Sequence, residues 1–319
     1  MESQLIHTLI DEGSFVSIAN DNSCGVTAAF ASVSLRPVTL LVFGAAIKSR
    51  CAVQVMETLM NKTLQTGTPL ILVFAENETA DEQPVLHAII PQIVRLSGVC
   101  PILALILRET GAVADSILPY ADFRIFSSGI HENTVSDIQA MDAPAAIEKL
   151  RALLHYLPLN CAENAPVSES AVQTLKKQPD PTLDRLQQVA DAGSMTEIYR
   201  DSHVRIAFAR ICGKSTAVLY AQNGTLPQHA ARFMQFCDCY SLPMLVLSEE
   251  MLQFSPLQTF VLAQATAVKI LAAETPNALF DLTISGDTET LRDKIAGALE
   301  YLAVKRDVLP PHKHGNLPL

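Results

Sequence analysis

One short motif occurs twice in the chain, and this repetition limits the possible folds more than any other feature. Residues 11–18 read DEGSFVSI and residues 191–198 read DAGSMTEI, so Asp, Gly, Ser and Ile recur in register, 191 − 11 = 180 residues apart. Each copy is followed by two apolar runs with a short basic turn between them, at 25–31 and 38–43 and again at 204–210 and 216–220. A repeat of this length is typical of a duplicated domain rather than a solenoid of short units.

Strand-like and helix-like patterns alternate after the first copy of the motif. Short apolar runs at 70–74 and 102–107 are typical of parallel strands that are buried on both faces. Residues 48–65 and 85–96 have the apolar spacing of amphipathic helices. A closing helix is predicted over 142–156, with Asp142 as its cap.

The second half of the sequence repeats this order. Predicted helices and strands lie at 230–240, 244–247, 255–272 and 291–305. The alternation predicts an α/β fold with mostly parallel pairing. Residues 161–185 hold several prolines and no sustained period, which predicts domains at 1–160 and 186–319 joined by a linker.

Composition excludes several classes of function. Of the 319 residues 49% are hydrophobic and 18% are charged, which is enough for two cores, and the net charge of −10 argues against binding nucleic acid through its phosphates. The most apolar stretch, 85–107, is interrupted by Gln92, Arg95, two prolines and a glycine, so no membrane-spanning helix is expected. The first residues lack the basic and apolar regions of a secretory signal, so a cytoplasmic location is predicted.

The seven cysteines are expected to be free thiols, because their number is odd and most have apolar neighbours. Cys237 and Cys239 are too close for the usual zinc spacing, so no metal site is predicted. Two further groups have two possible interpretations. The acidic residues of 76–82 form either an acid/base cluster or a solvated loop, and His312 and His314 are either ligands or part of a docking tail; the second interpretation is favoured for both.

Several segments of the sequence resemble one family. They are residues 11–15, 97–101, 121–123, 153–160, 191–195, 208–210, 231–238 and, most specifically, the C-terminal residues 305–319. Together they resemble the biotin-dependent acyl-CoA carboxyltransferases, the carboxyltransferase subunits of propionyl-, methylmalonyl- and related acyl-CoA carboxylases and decarboxylases.

The resemblance implies two tandem crotonase-like (ClpP/crotonase) α/β domains, each a ββα spiral. It implies transfer of a carboxyl group between biotin and an acyl-CoA, with no tightly bound cofactor, since biotin arrives on a carrier protein and the CoA ester is a substrate. It also implies a homo-oligomer with possible biotin carboxylase and biotin carrier partners. The active site would lie between the first domain of one subunit and the second domain of another, and paired glycines would present backbone N–H groups to an oxyanion.

The sequence departs from the family at the loops that would carry this chemistry. The family's Ala-Gly-Gly-Ala turn in the first domain falls on residues 110–114, where the two glycines become Ala112 and Val113. The β-branched Val113 is expected to resist an unusual φ and to block approach. In the second domain residues 273–277 replace the glycine turn, and residues 248–251 replace a Pro-Gly-Phe turn. The segment after Gly129, where the family binds acyl-CoA, is short.

Two functions follow from these observations. The first is a carboxyltransferase-like subunit with reduced or lost activity, in which Gly111, Ala112 and Val113 are a remnant oxyanion turn. The second is a non-catalytic paralogue that docks onto a carboxylase complex.

Overall fold

The computed structural model describes residues 2–18, 24–76, 82–127, 137–168, 185–286, 288–303 and 314–317. The chain forms two compact units. Unit 1 comprises Met1–Leu154, Leu159–Cys161 and His312–Leu319, and unit 2 comprises His155–Pro158 and Ala162–Pro311. Most of the predicted linker, most of the acidic loop, the segment after Gly129 and His312 lie outside the described residues.

Unit 1 is built on a seven-stranded sheet whose strands lie side by side in sequence order. The first three strands pair antiparallel and the later strands pair parallel. The strands are β1 (Val16–Ser17), β2 (Val26–Val33), β3 (Arg36–Phe43), β4 (Leu70–Phe74), β5 (Ile102–Ile106), β6 (Phe123–Phe126) and β7 (Asp137–Gln139). The helices are α1 (Glu2–Leu9), α2 (Ser49–Thr66), α3 (Glu82–Leu96), α4 (Ala112–Ile117) and α5 (Ala143–Leu154).

Unit 2 repeats this plan with a six-stranded sheet, again in sequence order. Its first three strands are antiparallel and its remaining strands are parallel. The strands are β8 (Met195–Arg200), β9 (Val204–Ile211), β10 (Lys214–Ala221), β11 (Met244–Ser248), β12 (Lys269–Ala272) and β13 (Leu282–Ile284). The helices are α6 (Arg185–Val189), α7 (Ala230–Cys239), α8 (Pro256–Gln264) and α9 (Thr288–Tyr301). The predicted fold, a duplicated ββα spiral, is confirmed.

Burial explains why the apolar runs form parallel strands. Every residue of β4, β5 and β11 is buried, as is typical of parallel strands that are covered on both faces. In unit 1 the rings of Phe43 and Phe74 stack with centroids 4.6 Å apart, at the ends of two neighbouring strands. The predicted cap of α5 is also present, since the Asp142 carboxylate accepts the N–H of Ala145 at 2.8 Å.

The repeated motif holds a hairpin turn in unit 1. The turn between β2 and β3 places Ser34 and Leu35 at φ 52° and 64°, a region that side chains disfavour. The Asp11 carboxylate accepts their N–H groups at 2.9 and 2.7 Å, and it accepts the hydroxyl of Ser32 at 2.7 Å. Ser14 fixes the motif itself, because its hydroxyl donates to the Asp11 carbonyl at 2.7 Å.

Unit 2 repeats this arrangement between β9 and β10. The turn residues Cys212 and Gly213 have φ 48° and 80°, and Asp191 accepts their N–H groups at 3.0 and 2.8 Å. The hydroxyl of Ser194 donates to the Asp191 carbonyl at 2.7 Å, as Ser14 does in unit 1. Arg292 adds an ion pair to Asp191 at 2.5 Å. The motif that marks the duplication in the sequence therefore has a structural role in both units.

The prediction of free cysteines is wrong for two of the seven. Cys24 and Cys51 form a disulfide with Cα atoms 5.4 Å apart, a separation in the ordinary range for this bond. Cys24 precedes β2 and Cys51 lies in the first turn of α2, and their proximity in the fold is not evident from their spacing in the sequence. Within the described part of the chain, no helix is both long enough and apolar enough to cross a bilayer.

Candidate functional site

The carboxyl ends of the parallel strands form the edge where ligands bind in open α/β sheets. In unit 1 the loops after β3, β4 and β5 reach this edge. In unit 2 the segments after β10, β11 and β12 do so. The residues singled out in the sequence fall at these edges in both units.

Gly111, Ala112 and Val113 lie where the loop after β5 becomes α4. Gly111 is the cap of the helix, with φ −96° and ψ −176°, and Ala112 is its first residue. The Gly111 carbonyl accepts the N–H of Asp115 at 3.2 Å, which starts the helical hydrogen bonding. Ala112 is exposed, whereas Val113 is 1% exposed and packs in the core of unit 1.

This geometry changes the expectation for Val113. Neither Ala112 nor Val113 has a positive φ, so the backbone conformation does not require glycine at either position. The Val113 side chain packs in the core and cannot cover the start of the helix. Because the first N–H groups of a helix have no acceptor inside it, Ala112 and Val113 still present two donors at this edge. The burial and the ordinary φ of Val113 therefore do not support the predicted obstruction.

The loop after β3 reaches the same edge of unit 1 and is held by Glu76. Glu76 follows β4, and its carboxylate accepts the N–H of Ala45 at 3.1 Å. This contact gives one residue of the acidic loop a structural role. The side chains of its other acidic residues lie outside the described part of the structure.

Unit 2 has a cleft of about 180 Å³ at its equivalent edge. Two segments line most of it, residues 249–252 after β11 and residues 273–277 after β12. These are the two places where the second domain departs from the family pattern. The structure therefore brings together two departures that lie more than twenty residues apart in the sequence.

Three exposed carboxylates, those of Glu249, Glu250 and Glu274, line this cleft, which we call the acidic cleft. The Tyr220 hydroxyl donates to Glu249 at 2.6 Å. Burial, together with this carboxylate, raises the pKa of Tyr220 to about 12, so the phenol stays protonated and remains a donor at neutral pH. The Ser248 hydroxyl lies 3.0 and 2.7 Å from the carbonyl oxygens of Ala221 and Glu250, which share its single hydrogen, and this contact holds the segment in place.

The two edges offer opposite chemistry. The turn at Ala112 presents backbone donors, which suit an oxygen that carries negative charge. The acidic cleft presents carboxylates, which repel such an oxygen. Among the described residues, no group of three or more His, Cys, Asp or Glu could hold a metal ion.

Sequence reasoning missed the contact between Tyr220 and Glu249. Both lie at the carboxyl ends of neighbouring parallel strands, with Tyr220 paired to Leu247 in the register of β10 and β11. A polar residue at the end of a buried apolar run was the available signal, because such ends meet at the ligand-binding edge.

No family model matches the sequence, but curated proteins resemble part of it. The propionyl-CoA carboxylase beta chain of Roseobacter denitrificans is 27% identical over 139 residues, which cover 36% of this chain and 27% of that protein. The propionyl-CoA carboxylase carboxyltransferase subunit of Haloferax mediterranei is 30% identical over 123 residues, or 31% of this chain and 24% of that protein. The matched segment thus spans about a quarter of the length of these relatives.

Solved structures resemble nearly the whole chain. The transcarboxylase 12S hexamer core, crystallised with methylmalonyl-coenzyme A and methylmalonic acid, has a TM-score of 0.76 at 18% identity, over 99% of this chain and 92% of that chain. A single-chain, multi-domain long-chain acyl-CoA carboxylase has a TM-score of 0.62 at 14% identity, over 85% of this chain and 36% of that one. The predicted family resemblance is confirmed: the chain is similar in sequence to carboxyltransferase subunits of acyl-CoA carboxylases and shares the fold of the transcarboxylase 12S core.

Proposed function

We propose that the chain is a carboxyltransferase-type subunit of a biotin-dependent acyl-CoA carboxylase or decarboxylase, with little or no carboxyl transfer of its own. Similarity to propionyl-CoA carboxylase subunits supports the general kind of protein. The acidic cleft of unit 2 is the single observation that supports the loss of activity.

The chemistry explains why this cleft matters. Transfer of a carboxyl group between biotin and the α-carbon of an acyl-CoA places negative charge on a ureido oxygen or an enolate oxygen. Donors aimed at that oxygen stabilise it, and each donor that is lost costs about 10²–10³ in rate. In unit 1 the N–H groups of Ala112 and Val113 could still serve such an oxygen. In unit 2 the carboxylates of Glu249, Glu250 and Glu274 line the equivalent edge and would repel such an oxygen.

The same carboxylates disfavour the substrates. A CoA ester carries several phosphate charges, and the chain already has a net charge of −10. Biotin would arrive on a carrier protein rather than stay bound to this chain. The unit 2 edge is therefore expected to bind CoA esters weakly.

A second candidate function is a non-catalytic paralogue that docks onto a carboxylase complex, in which a glycine-intact carboxyltransferase supplies the activity. The acidic cleft favours this role as well, because assembly does not require oxyanion donors. The transcarboxylase 12S core forms a hexamer, and by analogy this chain would form a homo-oligomer that recruits biotin carboxylase and biotin carrier subunits. The first domain of one subunit would then meet the second domain of another.

Calorimetric titration with methylmalonyl-CoA tests the role of the cleft. The wild type should bind weakly. The triple variant Glu249→Gln, Glu250→Gln and Glu274→Gln should bind about tenfold or more tightly, because three repulsive charges become neutral amides.

A second triple variant has the same net charge and controls for general electrostatics. It carries Glu12→Gln, Glu57→Gln and Glu148→Gln, all at exposed positions outside the cleft, and it should bind no better than the wild type. Tight binding by the wild type, or equal gains in both variants, would contradict the proposal.

A further inference from the structure

Four residues near the C-terminus, 314–317, follow the whole of unit 2 in the sequence yet belong to unit 1. They lie against the turn that follows α3. Asn316 is fully buried there, although it is polar. Buried polar groups need specific hydrogen-bond partners, so this segment is bound specifically rather than resting on the surface.

The partners of Asn316 come from two places in unit 1. Its backbone N–H donates to the Ser97 hydroxyl at 2.7 Å, and its side-chain amide donates to one oxygen of Asp122 at 2.7 Å. The other oxygen of Asp122 accepts the N–H of Ile102, the first residue of β5, at 2.7 Å. Asp122 therefore joins the tail directly to the central sheet.

The backbone of the site is shaped for the tail as well. Gly98 has φ 75°, and a Cβ at this position would lie only 2.0 Å from the carbonyl oxygen of His314. A Cβ on Gly315 would contact the Ser97 hydroxyl at 3.2 Å, which is tight. Two glycines thus let two backbones approach each other closely.

We propose that Ser97, Gly98 and Asp122 form a peptide site that recognises the Gly315-Asn316 step, and that the chain's own C-terminal segment occupies it as a strap. The ligand class is an extended peptide with a small residue followed by a side-chain amide. Because these residues follow all of unit 2 in the sequence and belong to unit 1, unit 1 is complete only after unit 2 has been synthesised. Cys100 follows Gly98 by two residues, and its fully buried thiol can serve as the probe for opening of the strap.

Labelling of Cys100 with a thiol reagent, followed by mass spectrometry of the peptide, reports opening of the strap under native conditions. Asn316→Asp places a second carboxylate against Asp122. It should raise the Cys100 labelling rate by about tenfold to a hundredfold, because a hydrogen bond to a charged group is replaced by repulsion. Labelling of the buried Cys237 in unit 2 should stay unchanged and serves as the internal control.

Exchanging the side chains of Asp122 and Asn316 tests specifically the hydrogen bond between them. In Asp122→Asn the amide oxygen can still accept the N–H of Ile102, while its NH₂ can donate to an aspartate at position 316. The double variant with Asn316→Asp should therefore return the Cys100 rate to near the wild-type value. Gly98→Ala alone should raise the Cys100 labelling rate. A hundredfold dilution of the protein should leave that rate unchanged.

Three results would overturn the proposal. One is a Cys100 rate that Asn316→Asp leaves unchanged. Another is a double variant that labels at least as fast as the faster single variant. A rate that rises on dilution would assign the tail in the site to a second copy of the chain.

Discussion

Asp11 and Asp191 hold equivalent hairpin turns, and this shared task explains why the same four-residue pattern recurs in both halves. Each carboxylate accepts two consecutive N–H groups of a turn whose residues have positive φ. The sequence revealed the repeat but did not distinguish a structural role from a catalytic one. That distinction depends on hydrogen-bond partners that lie about twenty residues away in the sequence.

Asp11→Asn should lower the free energy of unfolding by about 1–3 kcal/mol at neutral pH, because hydrogen bonds to a charged acceptor become neutral ones. Glu12→Gln is the matched control, since Glu12 is an exposed neighbour in the same motif, and it should change little. Urea denaturation measures both. Equal effects of the two variants would show that the carboxylate of Asp11 does not hold the turn.

The pH dependence of this effect follows from the direction of the pKa shift. Hydrogen bonds from Ser32 and Leu35 are the main causes that lower the pKa of Asp11 in the folded protein. The stabilisation is therefore fully present above the unfolded pKa of about 3.9 and is lost as pH falls through the folded pKa. The difference between wild type and Asp11→Asn should shrink in acid, and a difference that grows in acid would contradict the assignment.

Helices and strands of the chain could largely be predicted, because their apolar periodicity reflects burial. The strand predicted at 70–74 coincides with β4, and the predicted helix 48–65 differs from α2 by one residue at each end. β13 was missed because it has only three residues, of which Leu282 is exposed. The burial of Val113 and the Cys24–Cys51 pair depend on tertiary packing, which local pattern does not encode.

Gly25 and Gly13 form a matched pair for testing how closely two elements approach. Both have φ near 74° in the structure, at 75° and 73°. A Cβ on Gly25 would lie 1.8 Å from the carbonyl oxygen of Ala46, in the loop after β3, whereas a Cβ on Gly13 would meet nothing within 4 Å. The two positions therefore have the same backbone strain but differ in the space that is available to a side chain.

Gly13→Ala should cost about 1–2 kcal/mol, the penalty for a side chain in the left-handed region. Gly25→Ala should cost clearly more, since the loop that carries Ala45 and Ala46 must also move. Thermal unfolding of the two variants gives the comparison. Equal losses would show that the close approach after β3 contributes nothing to stability.

Exposed apolar side chains occur on both units. The largest include Leu35, Met141 and Tyr301, each at least 80% exposed. Side chains of this kind would contribute to an interface in the proposed homo-oligomer if they belong to larger contiguous apolar patches, which usually mark interfaces. We expect the chain to assemble with itself, so light scattering at micromolar concentration should give at least twice 34.6 kDa. A mass of 34.6 kDa under these conditions would contradict the proposed homo-oligomer.

A steady-state assay of the isolated chain with methylmalonyl-CoA and free biotin measures whether the proposed carboxyltransferase-type subunit transfers carboxyl groups on its own. We expect turnover near background, because three carboxylates line the unit 2 edge and would repel a developing oxyanion. Ala112→Gly with Val113→Gly should not restore turnover, since the unit 1 turn already presents its N–H groups. Turnover comparable to that of a glycine-intact carboxyltransferase, measured in parallel, would contradict the proposed loss of carboxyl transfer.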